Sequence, residues 1–466
     1  MSQKKEKIEY CPAGHSSKDF AYSDHKNYIH PDGRCSLCTK ENFILEFKTW
    51  FSGNANIDKI IQESQINNKY NKLHWIPYDN FQNIEHIEDG GHGSLYSAKL
   101  ENGIKEDWNF IKQVWKYNLI GEKFALKEVK DPGYNITEFL KVIKTVNDYK
   151  FVKYYGISKN PSTQNYIFVM DLFDGGLRNH LIKTSWDLVW KTKIDILLSI
   201  AWGLERLHEK NFIHCDLHSG NILINDLYSS DLRIDLDSCK LENDLVLNAN
   251  NDKLYGLISY IPPEVLRGNK FTREGDIYSF GGIMYEIVTA QQPFADQAHD
   301  TYLMIDICNG VRPKVPNFML NWIPEWYLNL MYRCWSDDPS QRPTAIELSF
   351  LFFDISEKFH RNLVDNNVIR QLKIADENQK NTSKSQKQEF FELFLYSSKL
   401  HPQSYYISRY IHTLHGLHDL LEEIKSGKSS DPNLLLKSNK SSTSNVYTHD
   451  IDEETATQSK QKNVIL

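Results

Sequence analysis

Apolar residues recur along this chain in four different ways. Residues 8–40 are rich in Cys, His, Gly and Asp and show no sustained period. From 41 to 70 the apolar positions fall at helical spacing: Phe43, Phe47, Trp50 and Phe51, then Ile57, Ile60 and Ile61. Ser52-Gly53-Asn54 reads as the break between two helices. From about Trp75 to Phe359, strand-like segments come first and helix-like segments follow. After about Ala375 the composition shifts, leaving helical patches at Phe390 to Tyr396 and Leu414 to Ile424. From about Ser426 the chain is Ser-, Asn- and Lys-rich and is expected to be disordered.

The densest chemistry lies in Ile213-His214-Cys215-Asp216-Leu217-His218-Ser219-Gly220-Asn221. An Asp followed five residues later by an Asn fits the catalytic-loop pattern H-R-D-x-x-x-x-N of protein kinases, with Cys215 in place of Arg. There the Asp orients and deprotonates a hydroxyl and the Asn holds a magnesium ion. Without the Arg, no dependence on a phosphorylated activation loop is expected. Cys215 itself reads as a small buried residue.

Other segments fall into the same order. The strand Ile84 to Ile87 leads into Glu88-Asp89-Gly90-Gly91-His92-Gly93-Ser94-Leu95. Gly90 and Gly93 fill two glycine places of G-x-G-x-x-G-x-V, Leu95 fills the valine place, and Glu88 replaces the first glycine. Phe124-Ala125-Leu126-Lys127 fits V-A-I-K. Alternation puts Ala125 against an adenine and Lys127 against phosphates. The insertion between them, about Glu101 to Glu122, is expected to form a hairpin or loop. The next helix, Thr137 to Lys144, has Val142 where a Glu would pair with Lys127. Glu138, one turn earlier, is the alternative partner; otherwise the pair is absent. Ile167 to Met170 reads as a strand, with Met170 as gatekeeper and the backbone of Asp171 to Phe173 as the adenine-binding hinge. Asp235-Leu236-Asp237 stands at the D-F-G position. Asp235 is the second magnesium ligand, while Asp237 could bind an ion, repel phosphate or, the preferred reading, face solvent. Glu264 and Arg342 form an expected structural ion pair, and Asp276 begins the helix that braces the catalytic loop.

With Trp75-Ile76-Pro77-Tyr78, His218 to Asn221, Asp276 to Ile287 and His401-Pro402-Gln403, residues 35 to about 410 resemble the tyrosine-kinase-like protein kinases expanded in arbuscular mycorrhizal fungi. The resemblance implies an α+β, two-lobed protein kinase fold with a small β-rich lobe and a large helical lobe. It also implies ATP- and Mg2+-dependent transfer to a protein substrate, with Ser/Thr favoured over Tyr. The expected organisation is a Cys/His-rich segment at 8–40 and a helical linker at 41–78. The kinase domain follows at 79–358, then a partly helical extension at 359–425 and a tail at 426–466. Lys127, Asp216, Asn221 and Asp235 together favour an active enzyme. Glu88, Val142, Cys215 and Asp237 depart from the pattern and favour the alternative, a pseudokinase scaffold.

In the amino-terminal segment, Cys11, His15, Cys35 and Cys38 form a C-x3-H and C-x2-C set suited to tetrahedral zinc. His25 and His30 compete for the place of His15, and a set of reduced thiols is the alternative. Residues 1–50 hold eight Lys/Arg against seven Asp/Glu, net +1, and the whole chain carries −7, so no nucleic-acid partner is expected. No apolar run is long enough to cross a membrane. Seven cysteines in 466 residues are too sparse for a disulfide framework, which points to the cytoplasm.

Overall fold

A computed structural model describes residues 8–434 except 24, 71, 147, 185–186, 226–231, 247–252, 362–365, 383–384, 387–400, 402 and 405. The strands Phe20–Tyr22 (β1) and His25–Lys26 (β2) pair within the Cys/His-rich segment. Helix α1 (Ser36–Glu46) starts directly after Cys35 and carries Cys38, so the helical region begins inside the segment read as non-helical. Helix α2 (Ala55–Asn67) starts where the break was read. The Asn54 side chain caps it by accepting from the amides of Asn56 and Ile57.

The small lobe is a six-stranded sheet. Its order is β3 (His74–Trp75), β9 (Tyr154–Lys159), β10 (Tyr166–Asp171), β8 (Lys123–Val129), β5 (Gly93–Leu100) and β4 (Phe81–Gly90). The period of two in β8 sends Phe124 and Leu126 into one apolar cluster and Ala125 and Val129 into the other, the main core. Lys127 shares the second face. The insertion after β5 is a hairpin, β6 (Ile104–Asn109) and β7 (Val114–Asn118). It clasps α1: the Trp108 amide donates to Thr39, Trp115 Nε1 donates to Glu46, and the Trp115 ring lies tilted 4.5 Å from that of Phe43.

Helix α3 (Ile136–Thr145) is capped by Asn135, which accepts from the Glu138 amide. Its buried face is Phe139, Leu140, Val142 and Ile143, and α2 packs on it with a Lys144–Glu63 ion pair at 2.6 Å. Val142 is thus a core residue at 2% exposure. The large lobe is helical, built on helices Trp190–Glu209 and Arg273–Thr289, the latter buried along almost its whole length. Among the described residues no helix is long and apolar enough to cross a membrane.

The carboxy-terminal extension differs from expectation. Helix Asn367–Asn381 docks through Asp376, which accepts from the Trp190 amide at 2.8 Å. The patch at Phe390 to Tyr396 lies outside the described residues. Leu414 to Ile424 is helical only from Leu421. Residues 429–434, assigned to the tail, are instead docked. Asp431 accepts from the amide of Thr301 at 2.7 Å, and Asn433 accepts from that of His412 at 2.8 Å. Their side-chain oxygens find part-buried backbone partners, which low hydrophobicity did not advertise.

Candidate active site

The cleft between the lobes holds a cavity of about 380 Å³. A short antiparallel strand pair, Ile222–Ile224 against Leu232–Ile234, brings one amide and one acid of the cavity together, because Ile222 lies opposite Ile234. Asn221 and Asp235 flank that pair, and the Asp235 amide donates to the Asn221 carbonyl at 2.9 Å. Asn221 Nδ2 donates to the Asp216 carbonyl at 2.8 Å, leaving Oδ1 available to a cation. Asp216 is fixed from below. The buried Asp276 carboxylate accepts from the amides of His214 and Cys215, at 2.9 and 3.1 Å, and bonds His208 at 2.8 Å. These bonds hold Cys215 in the left-handed region at φ 67°. Its thiol is buried with Ile213 and Leu245.

Lys127 crosses the cavity to two carboxylates. Its Nζ lies 2.8 Å from Asp237 Oδ2 and 3.3 Å from Asp235 Oδ2. Among the described residues no ion pair joins Lys127 to Glu138. Asp237 does not face solvent as expected; its side chain is 10% exposed. Tyr134 donates to it at 2.7 Å, and Tyr154 donates to Asp235 at 2.6 Å. Burial alone would weaken the Lys127 ammonium, but the two carboxylates hold its pKa above the ordinary lysine value. Burial likewise opposes charge on Asp235, and Lys127 with the Tyr154 hydroxyl holds its pKa below the usual range.

Asp216 is buried, yet its pKa is lowered, because His218 and the hydroxyl of Ser408 offset the loss of water. Gly90, Gly93, Leu95, Lys127, Met170, Asp216, Asn221 and Asp235 all line this one cavity. Ala125, Asp171 and Phe173 are not on its lining. Glu88 sits exposed at its rim. Asp237, His218, Leu223 and Ser408 line it without having been assigned a binding role. Glu264 and Arg342 form the expected two-pronged pair at 2.7 and 2.8 Å.

Far along the chain, Cys11, His15, Cys35 and Cys38 bring four ligand atoms within 4.8 Å of one another. His15 Nδ1 is 3.4 Å from both Cys11 Sγ and Cys38 Sγ and 3.7 Å from Cys35 Sγ; the Cys11 and Cys38 sulfurs are 3.6 Å apart. Zinc bonds of about 2.3 Å to sulfur and 2.0–2.1 Å to nitrogen in a tetrahedron give edges of about 3.5–3.8 Å. His15 also bonds Glu41 through Nε2 at 3.1 Å, the outer contact that orients a metal-binding imidazole. His30 pairs with Asp32 instead.

Residues 81–351 match the family model described as protein tyrosine and serine/threonine kinase. The chain is 28% identical over 285 residues to the probable serine/threonine-protein kinase roco5 of Dictyostelium discoideum, a match covering 59% of this chain and 10% of that protein. It is 29% identical over 275 residues to the putative serine/threonine-protein kinase/receptor R826 of Acanthamoeba polyphaga mimivirus, covering 58% and 15%. A probable LIM domain-containing serine/threonine-protein kinase of Dictyostelium discoideum, DDB_G0287001, is 28% identical over 257 residues, covering 53% and 37%. In each case the match spans well under half of the relative's length.

Proposed function

The chain belongs to the protein tyrosine and serine/threonine kinase family, and from that premise we propose that it transfers the γ-phosphate of ATP to a serine or threonine hydroxyl of a protein. The observation that carries this reading is the convergence of Lys127, Asp216, Asn221 and Asp235 on one cavity, with Lys127 fully counter-charged despite Val142. Asp216 orients the acceptor hydroxyl and takes its proton. Asn221 Oδ1 and the Asp235 carboxylate are the oxygen ligands suited to magnesium, which when bound neutralises charge on the phosphates. Lys127 holds the phosphates, and Asp237 keeps it charged and aimed in the role that a helix glutamate would serve. Gly90 and Gly93 let the backbone lie over the phosphates without side-chain obstruction. Leu95 and Met170, on the cavity wall, enclose the adenine, while Ala125 and the backbone of Asp171 to Phe173 are assigned to it by the order of the motifs alone.

Cys11, His15, Cys35 and Cys38 bind a structural zinc ion that ties the amino-terminal segment into one unit. The seven cysteines are all unpaired, which fits action in the cytoplasm.

The test is transfer of labelled γ-phosphate from ATP with magnesium to a mixed protein substrate. The expected result is transfer by the native chain and at least a thousandfold less by Asp216→Asn. Equal background from both folded proteins removes the enzymatic reading.

A further inference from the structure

The strand Arg409–His412 lies antiparallel on Lys253–Gly256, pairing Tyr255 with Tyr410 and Gly256 with Arg409. Lys253–Gly256 stands shortly before Pro262-Pro263-Glu264, on the edge that faces the cleft mouth. An extended segment has therefore been added to an open strand, the mode by which peptides are commonly held. The residue preceding the added strand is Ser408. Its Oγ donates to Asp216 Oδ1 at 3.0 Å and lies 3.0 Å from His218 Nε2. Its neighbours hold the segment in that register. The Tyr406 hydroxyl accepts from the Gly220 amide at 3.0 Å, and its ring lies 3.7 Å beneath the Arg178 guanidinium. The Tyr410 hydroxyl donates to Asp131 Oδ2 at 3.0 Å, and His92 at the tip of the β4–β5 turn stacks on Tyr255 at 3.8 Å. A methyl group at Gly91 would collide with the Ser408 carbonyl and the Tyr255 hydroxyl, so the turn closes directly on the segment.

We infer that residues 406–412 are a built-in substrate and that Ser408 is a phosphate acceptor modified by its own chain. The inference rests on the proposed kinase function and specifies its acceptor. Three hydroxyls lie in this segment, and position separates them. The Tyr406 hydroxyl bonds Ser219 and Gly220, and that of Tyr410 bonds Asp131. Only Ser408 presents its oxygen to Asp216, on the wall of the cavity proposed to hold the nucleotide. In the step, Ser408 Oγ forms a bond to the γ-phosphorus of ATP. The bond from that phosphorus to the β–γ bridging oxygen breaks, ADP departs, and the hydroxyl proton passes to the Asp216 carboxylate.

The product carries close to two negative charges. It would stand beside Asp216, Asp235 and Asp237, and repulsion among these groups drives the segment out of the cleft. Until then, tethering gives the segment a local concentration that an outside protein must exceed. The same group is therefore the first substrate and the plug.

The experiment uses the full chain with magnesium-ATP over a hundredfold range of protein concentration, with phosphate sites mapped by mass spectrometry and hydrogen exchange followed over 406–412. The expected result is one phosphate on Ser408 appearing at a rate independent of protein concentration, followed by loss of protection over 406–412. Asp216→Asn chain mixed with native chain stays unlabelled at Ser408, and Ser408→Ala keeps its protection after nucleotide is added. A chain that phosphorylates added protein but leaves Ser408 bare overturns this inference and leaves the proposed function standing. A rate proportional to protein concentration, or label on the Asp216→Asn chain, assigns the event to a neighbouring molecule and overturns it too. No phosphate on any protein overturns both.

Discussion

The two regions flanking the kinase domain are both docked on it, and they land on opposite kinds of surface. The amino-terminal region covers the outer side of helix α3 and packs on the β6–β7 hairpin, and among its described residues no hydrogen bond or ion pair reaches Lys127 or Asp216. The carboxy-terminal region from Tyr406 to Leu434 docks on the front and places Ser408 on Asp216. The first holds an element from behind, through apolar contact, a cluster of thiols and polar bonds from Thr39, Glu46 and Glu63. The second lies in the place proposed for the substrate, through hydrogen bonds that each exist only in one register. Packing of the first kind tolerates substitution within a stable shape, while contact of the second kind can be undone by one added charge.

Breaking the amino side has the largest expected effect. Replacing Cys35→Ser and Cys38→Ser together removes two of the four proposed zinc ligands. Zinc binding in small modules is worth on the order of 10 kcal/mol. Elemental analysis should find about one zinc per native chain and less than a tenth in the variant. Hydrogen exchange should show residues 8–46 unprotected. Phosphate transfer should change less than about threefold, because the cluster lies away from the cleft. A tenfold loss of transfer would mean that the two flanks are coupled through α3, and the contrast between them would fail.

The next largest effect separates helix from motif inside the cleft. Asp237→Asn keeps the shape but leaves Lys127 with Asp235 alone. Losing one partner of a buried pair costs roughly 3–5 kcal/mol when nothing compensates. Part of that should appear in transfer as a fall of about a hundredfold, or about 2.7 kcal/mol. Glu138→Gln should change transfer less than twofold. Kinetics of the two variants side by side decide the matter, and a larger loss in Glu138→Gln would return the counter-ion to the helix.

That swap marks the limit of what the chain discloses before folding. That Asp216, Asn221, Asp235 and Lys127 would meet at one cavity was legible because each sits in a short run whose order is itself the signal. Glu264 with Arg342 and the bracing Asp276 were legible for the same reason. The new partner of Lys127 was not, since Asp237 lies 110 residues away and only the fold brings it within 2.8 Å. A signal did exist: an acid is missing at Val142 and an extra one stands at Asp237. Read together, the two departures fall on one partner, since the acid missing beside Lys127 at Val142 has its counterpart in the ion pair from Asp237, and the proposed function rests on that exchange. Among Cys11, His15, Cys35 and Cys38 the spacing supplied the ligand types, but only the geometry excluded His30. Ser408 carried no mark, because its meaning depends on the register of Arg409–His412 against Lys253–Gly256.

The smallest predicted effect tests the carboxy side by a single atom. Tyr410 is half-exposed, and its ring stays packed against Tyr255 when the hydroxyl is removed. Tyr410→Phe therefore deletes the bond to Asp131 and leaves the rest of the strand intact. A bond of this kind contributes about 1 kcal/mol, which corresponds to a roughly fivefold rise in the opening of the segment. Hydrogen exchange at the amides of 409–412 should speed up by that factor before nucleotide is added. Exchange in α1 and α2 should not change, since no contact of Tyr410 reaches them. The residual His92–Asp131 contact, at 3.0 Å, keeps the turn itself in place. Exchange at 409–412 within twofold of the native rate would show that the segment is held by its backbone pairing and not by the side chains that bridge to the small lobe. A parallel rise in α1 and α2 would show instead that the two flanks open together.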